Sequence, residues 1–174
     1  MMPRALAIDI GGTKIAAGLV DGRDVLVAVQ APTGPDPWET VRGLVAGLDL
    51  DGVEVVGVGS GGPMTRTGVS PVNIPAWRGF PLRSRLVELT GLPVHVDNDA
   101  KALTAAEGWF GAAEGCRDFI GMVVSTGVGG GIVLDGRLLD GRDTNAGHIG
   151  HVIVEPDGHR CGCGAHGCLE AEAS

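Results

Sequence analysis

"ALAIDIGGTKIAAGLV", residues 5–20, sets two short apolar runs, ALAIDI (5–10) and IAAGLV (15–20), on either side of GGTK. Apolar runs of this length around a glycine turn read as the two strands of a β-hairpin. DVLVAVQA (24–31) follows the turn DGR and reads as a third strand. DPWETVRGLVAGLDL (36–50) carries Trp38, Val41, Leu44, Val45 and Leu48 at helical spacing. VEVVGVGS (53–60) is a buried strand, and a Gly/Pro-rich loop covers 61–79. PLRSRLVELTG (81–91) is a helix closed by Gly91, with Pro93 just beyond. PVHV (93–96) is a short strand, and DNDAKALTAAEGWFG (97–111) opens another helix. DFIGMVVS (118–125) is a strand, TGVGGG (126–131) a turn, and IVLDGRLL (132–139) the hairpin partner.

This order predicts an α/β fold with a mixed sheet. A second strand–glycine turn–strand unit begins near residue 118, so the expected domains are 1–116 and 117–174. IDIGGTKIAAG and VVSTGVGGGIV are rough internal counterparts.

The 174 residues are 44% hydrophobic but hold only three Trp, three Phe and no Tyr, so the core must be aliphatic. The 31 glycines exceed the needs of loop punctuation and sit in clusters where backbone must come close to something. The net charge of −8, with no Lys/Arg run, shows no nucleic-acid footprint. The N-terminus lacks an apolar stretch of signal-peptide length, and no segment is long enough for a membrane span. A cytoplasmic setting is expected, where clustered cysteines bind metal more often than they form disulfides.

Gly11, Gly12, Thr13 and Lys14 form a turn offering backbone N–H groups, a hydroxyl and an ammonium, which suits an anion. Asp9, ending the strand before it, can hold a hydrated Mg²⁺. The turn is neither a P-loop nor a Rossmann fingerprint, because a strand follows it. A plain hairpin turn would need no ligand. A second glycine hairpin at 125–131 favours a pair of phosphate-binding turns.

Asp97, Asn98 and Asp99 stand at a strand-to-helix junction. They fit an N-cap with an acidic first turn. They also fit a base, Asp99, that takes a proton from a hydroxyl during phosphoryl transfer and orients it. His151, Cys161, Cys163 and Cys168, spaced H-x₉-C-x-C-x₄-C, match a closed tetrahedral Zn²⁺ site. A disulfide or unconnected buried cysteines are the alternatives. His159 and His166 are rival imidazoles in the same loop. Cys116 reads as a small buried hydrophobe, and His95 as a packed or exposed strand residue.

DIGGTK, NDA at a helix start, STGVGGG, AGHIGH and CGCGAHGCLE occur here in the order found in ROK-family sugar kinases, which the chain resembles along its whole length. The resemblance implies the actin-like ATPase (ribonuclease H-like) fold and ATP-dependent phosphorylation of a hexose or N-acetylhexosamine hydroxyl. It implies ATP-phosphate contacts at Gly11, Gly12, Thr13, Lys14, Thr126 and Gly127, with Asp9 helping to place Mg²⁺. Asp99 matches the catalytic residue and Asn98 a sugar contact. The resemblance also implies a structural zinc with His151 as ligand, and sugar contacts at Gly62, His148, His151 and Glu170. Asn73 and Trp77 match a segment near the pocket. Most family members carry Glu where this chain has His148. An imidazole also donates or accepts a hydrogen bond, so sugar preference can shift. The GHIGH form is similar to bacterial N-acetylmannosamine kinases, with glucokinase-like members the other option.

Family members continue past the position of Ser174. The expectation is a complete small lobe plus the first part of the large one, with uncovered apolar surface and hence a homo-oligomer, disorder or a completing partner. Two other functions compete with a kinase. A ROK-type repressor or sugar sensor would carry an N-terminal helix-turn-helix, whereas the first strand here starts about five residues in. A sugar-binding module without catalysis is the third reading.

Overall fold

A computed structural model describes residues 3–174. The chain divides into two compact units, Met1–Asp99 and Ala100–Ser174.

The first unit is a five-stranded sheet in the order β3-β2-β1-β4-β5. Its strands are β1 (Arg4–Ile10), β2 (Lys14–Asp21), β3 (Asp24–Pro32), β4 (Val55–Ser60) and β5 (Val94–Asn98). β1–β2 and β2–β3 pair antiparallel, as the two turns in the sequence require. β1–β4 and β4–β5 pair parallel: the chain returns from edge strand β3 through α1 to β4, and from β4 through α2 to β5. In α1 (Pro37–Ala46), the Asp36 carboxylate caps the Trp38 and Glu39 N–H groups, Pro37 fills the first turn, and Gly47 ends the helix. α2 (Leu82–Thr90) ends at Gly91, whose φ of 71° only glycine adopts without strain. Val41 and Val45 of α1 and Leu82 and Leu86 of α2 join Leu6, Ile8, Ile15, Leu19, Val56 and Val58 in one aliphatic core. Each such side chain contributes about 1.5–3 kcal/mol by leaving water. Trp77, 2% exposed, stacks on Phe80 at 4.1 Å between ring centres and belongs to this core.

The parallel register aligns Asp9 with Gly59 and Gly59 with Asp97. Three strand ends, and the start of the helix after β5, therefore meet at one edge of the sheet. Crevices beyond the carboxyl ends of parallel strands are where ligands bind in such sheets.

The second unit holds a three-stranded antiparallel sheet, β6 (Phe119–Val124), β7 (Val128–Leu134) and β8 (Arg137–Leu138). α3 (Asp99–Phe110) begins on the last residue of the first unit, and its remainder packs on one face of this sheet. The sequence reading of TGVGGG as a turn is corrected: only Ser125–Gly127 turns, and Gly129–Gly131 lie within β7. These glycines make room for the helix. A methyl on Gly129 would come within 2.8 Å of Ala100 Cβ, and one on Gly131 within 2.6 Å of Thr104 Oγ1. Gly121, opposite Gly131 on β6, would strike the same threonine. Thr104 is fully buried and satisfies its hydroxyl on the Ala100 carbonyl at 2.8 Å. IVLDGRLL is two strands rather than one, broken where Asp135 and Gly136 take φ of 52° and 74°.

The packing of α3 on β6 and β7 puts the division between units at Asp99/Ala100, ahead of the 116/117 boundary read from the sequence. Cys116 is exposed, not buried: it lies in the turn after α3, its N–H donated to the Ala113 carbonyl. His95 is an exposed strand residue. No helix among the described residues is long and apolar enough to cross a membrane.

Candidate active site

In the first unit the site grows from the aligned strand ends. Asp99 stands over the end of β4. A methyl on Gly59 would lie 3.4 Å from Asp99 Cα and 3.9 Å from Asp9 Oδ1, and one on Gly61 would lie 3.5 Å from Asp99 Oδ2. Two carboxylates thus converge on a glycine floor. Asp9 is exposed as a residue, yet its carboxyl titrates above the ordinary carboxylate value. Partial enclosure by protein raises it most and Asp99 adds to this, while Lys14 pulls it back. Asn98 is buried, and Asp97 Oδ1 accepts its backbone N–H at 2.8 Å. Asp97 therefore serves the junction, while Asp99 faces outward.

The Gly11–Lys14 turn is braced from below. The Gly11 N–H is directed to the Lys14 carbonyl at 3.0 Å, so Gly11 serves close approach rather than anion donation. Lys14 Nζ reaches Gln30 Oε1 at 3.3 Å. Thr33, buried, donates its hydroxyl to the Gly11 carbonyl at 2.7 Å and its N–H to the Thr13 carbonyl at 3.0 Å. Sequence reasoning missed Thr33, because one threonine after an apolar strand carries no periodic signal. Asn73 packs directly on Gly12, where any β-carbon would collide with it. Gly62 has φ 76°, and a methyl there would meet the Ser70 carbonyl at 2.5 Å and Pro71 Cα at 2.7 Å. The 70–73 segment thus supports both Gly12 and Gly62.

In the second unit the Ser125–Gly127 turn is closed by Ser125 N–H to the Gly127 carbonyl at 2.9 Å. Glu170 Oε2 accepts the Val128 N–H at 2.9 Å and lies 2.6 Å from where a Gly127 methyl would stand. Its other oxygen is 4.0 Å from Cys161 Sγ. Glu170 therefore spans the turn and the cysteine loop.

That loop brings His151, Cys161, Cys163 and Cys168 together, with their ligand atoms all within 4.8 Å of one another. Cys161 Sγ to His151 Nδ1 and Cys163 Sγ to Cys168 Sγ are each 3.7 Å. Thiolates about 2.3 Å from a tetrahedral zinc stand roughly 3.8 Å apart, and a disulfide needs about 2.05 Å. The four donors fit zinc and not a disulfide. The thiols are unequal. Cys168 is pushed up to about 12, first by burial and then by Cys163 and Cys161. Hydrogen bonding from the Ala165 backbone, then from Cys161, lowers Cys163. Gly164 and Gly167, with φ of 97° and 67°, let the loop wrap. His159 is engaged elsewhere: Glu172 accepts its N–H at 2.6 Å and pairs with its Nδ1 at 2.8 Å, which lowers the Glu172 carboxyl. His166 Nδ1 lies 3.3 Å from the Gly158 carbonyl, outside the cluster. The His148 ring stands edge-on to His151, with centres 6.4 Å apart.

The ROK family profile matches residues 5–174. Glucokinase of Thermotoga maritima is 40% identical over 182 aligned positions, covering 98% of this chain and 57% of the relative. N-acetylmannosamine kinase of Citrobacter koseri is 42% identical over 179, covering 97% and 61%. The chain thus spans about three-fifths of the length of these curated relatives. The crystal structure of a ROK family glucokinase from Streptomyces griseus in complex with glucose and AMPPNP superposes with a TM-score of 0.88 at 40% identity, covering 98% of this chain and 57% of that one. The mixed sheet of the first unit and the antiparallel sheet of the second are those of the actin-like ATPase fold, and the chain belongs to the ROK family.

Proposed function

We propose that this chain carries phosphoryl-transfer machinery of an ATP-dependent sugar kinase, acting on a hydroxyl of a hexose or N-acetylhexosamine in the manner of a glucokinase or an N-acetylmannosamine kinase. The observation that carries this reading is the convergence of Asp9 and Asp99 on the glycines at the end of β4. Asp99 accepts the proton of the sugar hydroxyl as its oxygen bonds to the γ-phosphorus and the bond to the departing ADP oxygen breaks. The transition state is loose, so a weak base suffices and orientation matters more than basicity. Asn98 and the Gly62 backbone hold sugar hydroxyls beside Asp99. In the second unit, His148, His151 and Glu170 contact sugar hydroxyls, and His148 selects among sugars. Gly12 and Thr13 of the first turn, with Gly11 allowing close approach and Lys14 supplying charge, receive phosphate oxygens. Thr126 and Gly127 do the same at the second turn.

Asp9 would hold Mg²⁺, whose charge offsets that of the phosphates. Enclosure by protein raises the Asp9 carboxyl most and Asp99 adds to this, and a divalent cation there would favour the charged form. His151, Cys161, Cys163 and Cys168 would hold a structural Zn²⁺ that fixes the loop bearing Glu170. Three reduced thiols suit a cytoplasmic setting.

The test is Asp99→Asn. Phosphate transfer to sugar should fall about 10²–10⁴-fold while sugar affinity, read by calorimetry, stays within a few-fold. Undiminished transfer would remove Asp99 from the role of base. Sugar binding by the unaltered chain with no transfer would favour the sugar-binding module instead.

A further inference from the structure

Lys101 is 1% exposed, and no role above uses it. Lysine is almost never fully buried unless paired. Here Nζ donates to Asp140 Oδ1 at 2.7 Å, and the Asp140 side chain is 66% exposed. An ion pair with one partner open to water adds little stability, about 0–1 kcal/mol, so stability alone does not account for burying this lysine.

Its placement supplies another reason. Lys101 stands two residues after Asp99 on α3. Asp140 is the root of the loop 140–147, which closes on itself by the Ala146 N–H to the Asp140 carbonyl at 3.1 Å. Thr144 and Gly147, with φ of 65° and 95°, fold the loop back onto β7. There a methyl on Gly147 would meet the Gly130 carbonyl at 2.6 Å, and Ile149 packs on Gly130. His148 is therefore held between two anchors, the Lys101–Asp140 pair at the loop's start and β7 at its end.

We propose that Lys101 is a positioning residue: the ion pair of its buried ammonium with Asp140 roots the 140–147 loop on α3 and so fixes His148. Its consequence for sugar binding rests on the kinase reading above, but the anchoring itself does not. The experiment compares the whole chain with Lys101→Met, Asp140→Asn and the double variant Lys101→Met/Asp140→Leu. Amide hydrogen exchange reads the anchor. Calorimetry with glucose and N-acetylmannosamine reads sugar affinity, and thermal unfolding reads stability.

Each single variant should lower protection of the Ala146 and Ile149 amides at least tenfold and weaken sugar affinity about tenfold, leaving β6 and β7 protection unchanged. The double variant should recover the melting temperature but neither the protection nor the affinity. Unchanged protection in the single variants overturns the proposal. So does a double variant that recovers affinity along with stability, since the pair would then be filler. If the unaltered chain binds neither these sugars nor mannose nor N-acetylglucosamine, the kinase reading fails and the exchange data alone decide the anchor.

Discussion

Asp9 illustrates how a candidate site residue opposes the fold it belongs to. Its carboxyl is raised in the folded chain, so the folded state holds the proton more tightly than the unfolded chain does. Stability from this group is therefore greatest at low pH and falls as pH rises from about 3.8 through the raised folded value. Asp9→Asn should melt at a higher temperature than the unaltered chain at neutral pH. The gap should close toward pH 4, while any phosphate transfer is lost. Melting curves across that range check it, and a less stable variant at neutral pH would contradict the assigned cause. At this scale the sequence was informative where chemistry is local. DIGGTK and NDA named Asp9 and Asp99 as candidates without coordinates. Thr33 and Lys101 were not legible, because their partners, Gly11 and Asp140, lie 22 and 39 residues away.

At the scale of elements, the glycines separate into those that admit a neighbour and those that do not. Gly131→Val would drive a side chain into Thr104 and should cost on the order of 1–3 kcal/mol, read by denaturant unfolding. Gly43, in the middle of α1, has open space where a methyl would go. Gly43→Ala should stabilise by about 0.5–1 kcal/mol. The sequence reading could not tell these cases apart. It took Gly129–Gly131 for a turn because helix α3, which demands them, lies some twenty residues upstream. The hairpin 5–20 was legible because its turn and alternation are contained within it. The cysteine loop was legible for the same reason, its four donors falling within eighteen residues. Metal analysis of chelator-free protein should find about one zinc per chain. Stripping it should lower the melting temperature and open buried Cys161 and Cys168 to thiol reagents. Less than a tenth of an equivalent in undenatured protein would sink the zinc assignment.

For the molecule as a whole, the fold class was readable from element order, but the division into units was not, since it depends on what α3 packs against. β6 lies at an edge of its sheet, with Ile120, Met122 and Val124 each more than half exposed along one row. Apolar rows on an open sheet edge are where chains tend to associate. The homo-oligomer expected from the sequence should appear as a concentration-dependent sedimentation coefficient that Met122→Lys reduces. A monomer at all concentrations would remove that expectation. The most direct measurement for the central claim is ADP release by this 174-residue chain with Mg-ATP against glucose, mannose, N-acetylglucosamine and N-acetylmannosamine. Release should depend on one of these sugars and vanish with Asp99→Asn. Release with none of them would contradict the claim that this chain carries phosphoryl transfer, while leaving its membership of the ROK family untouched.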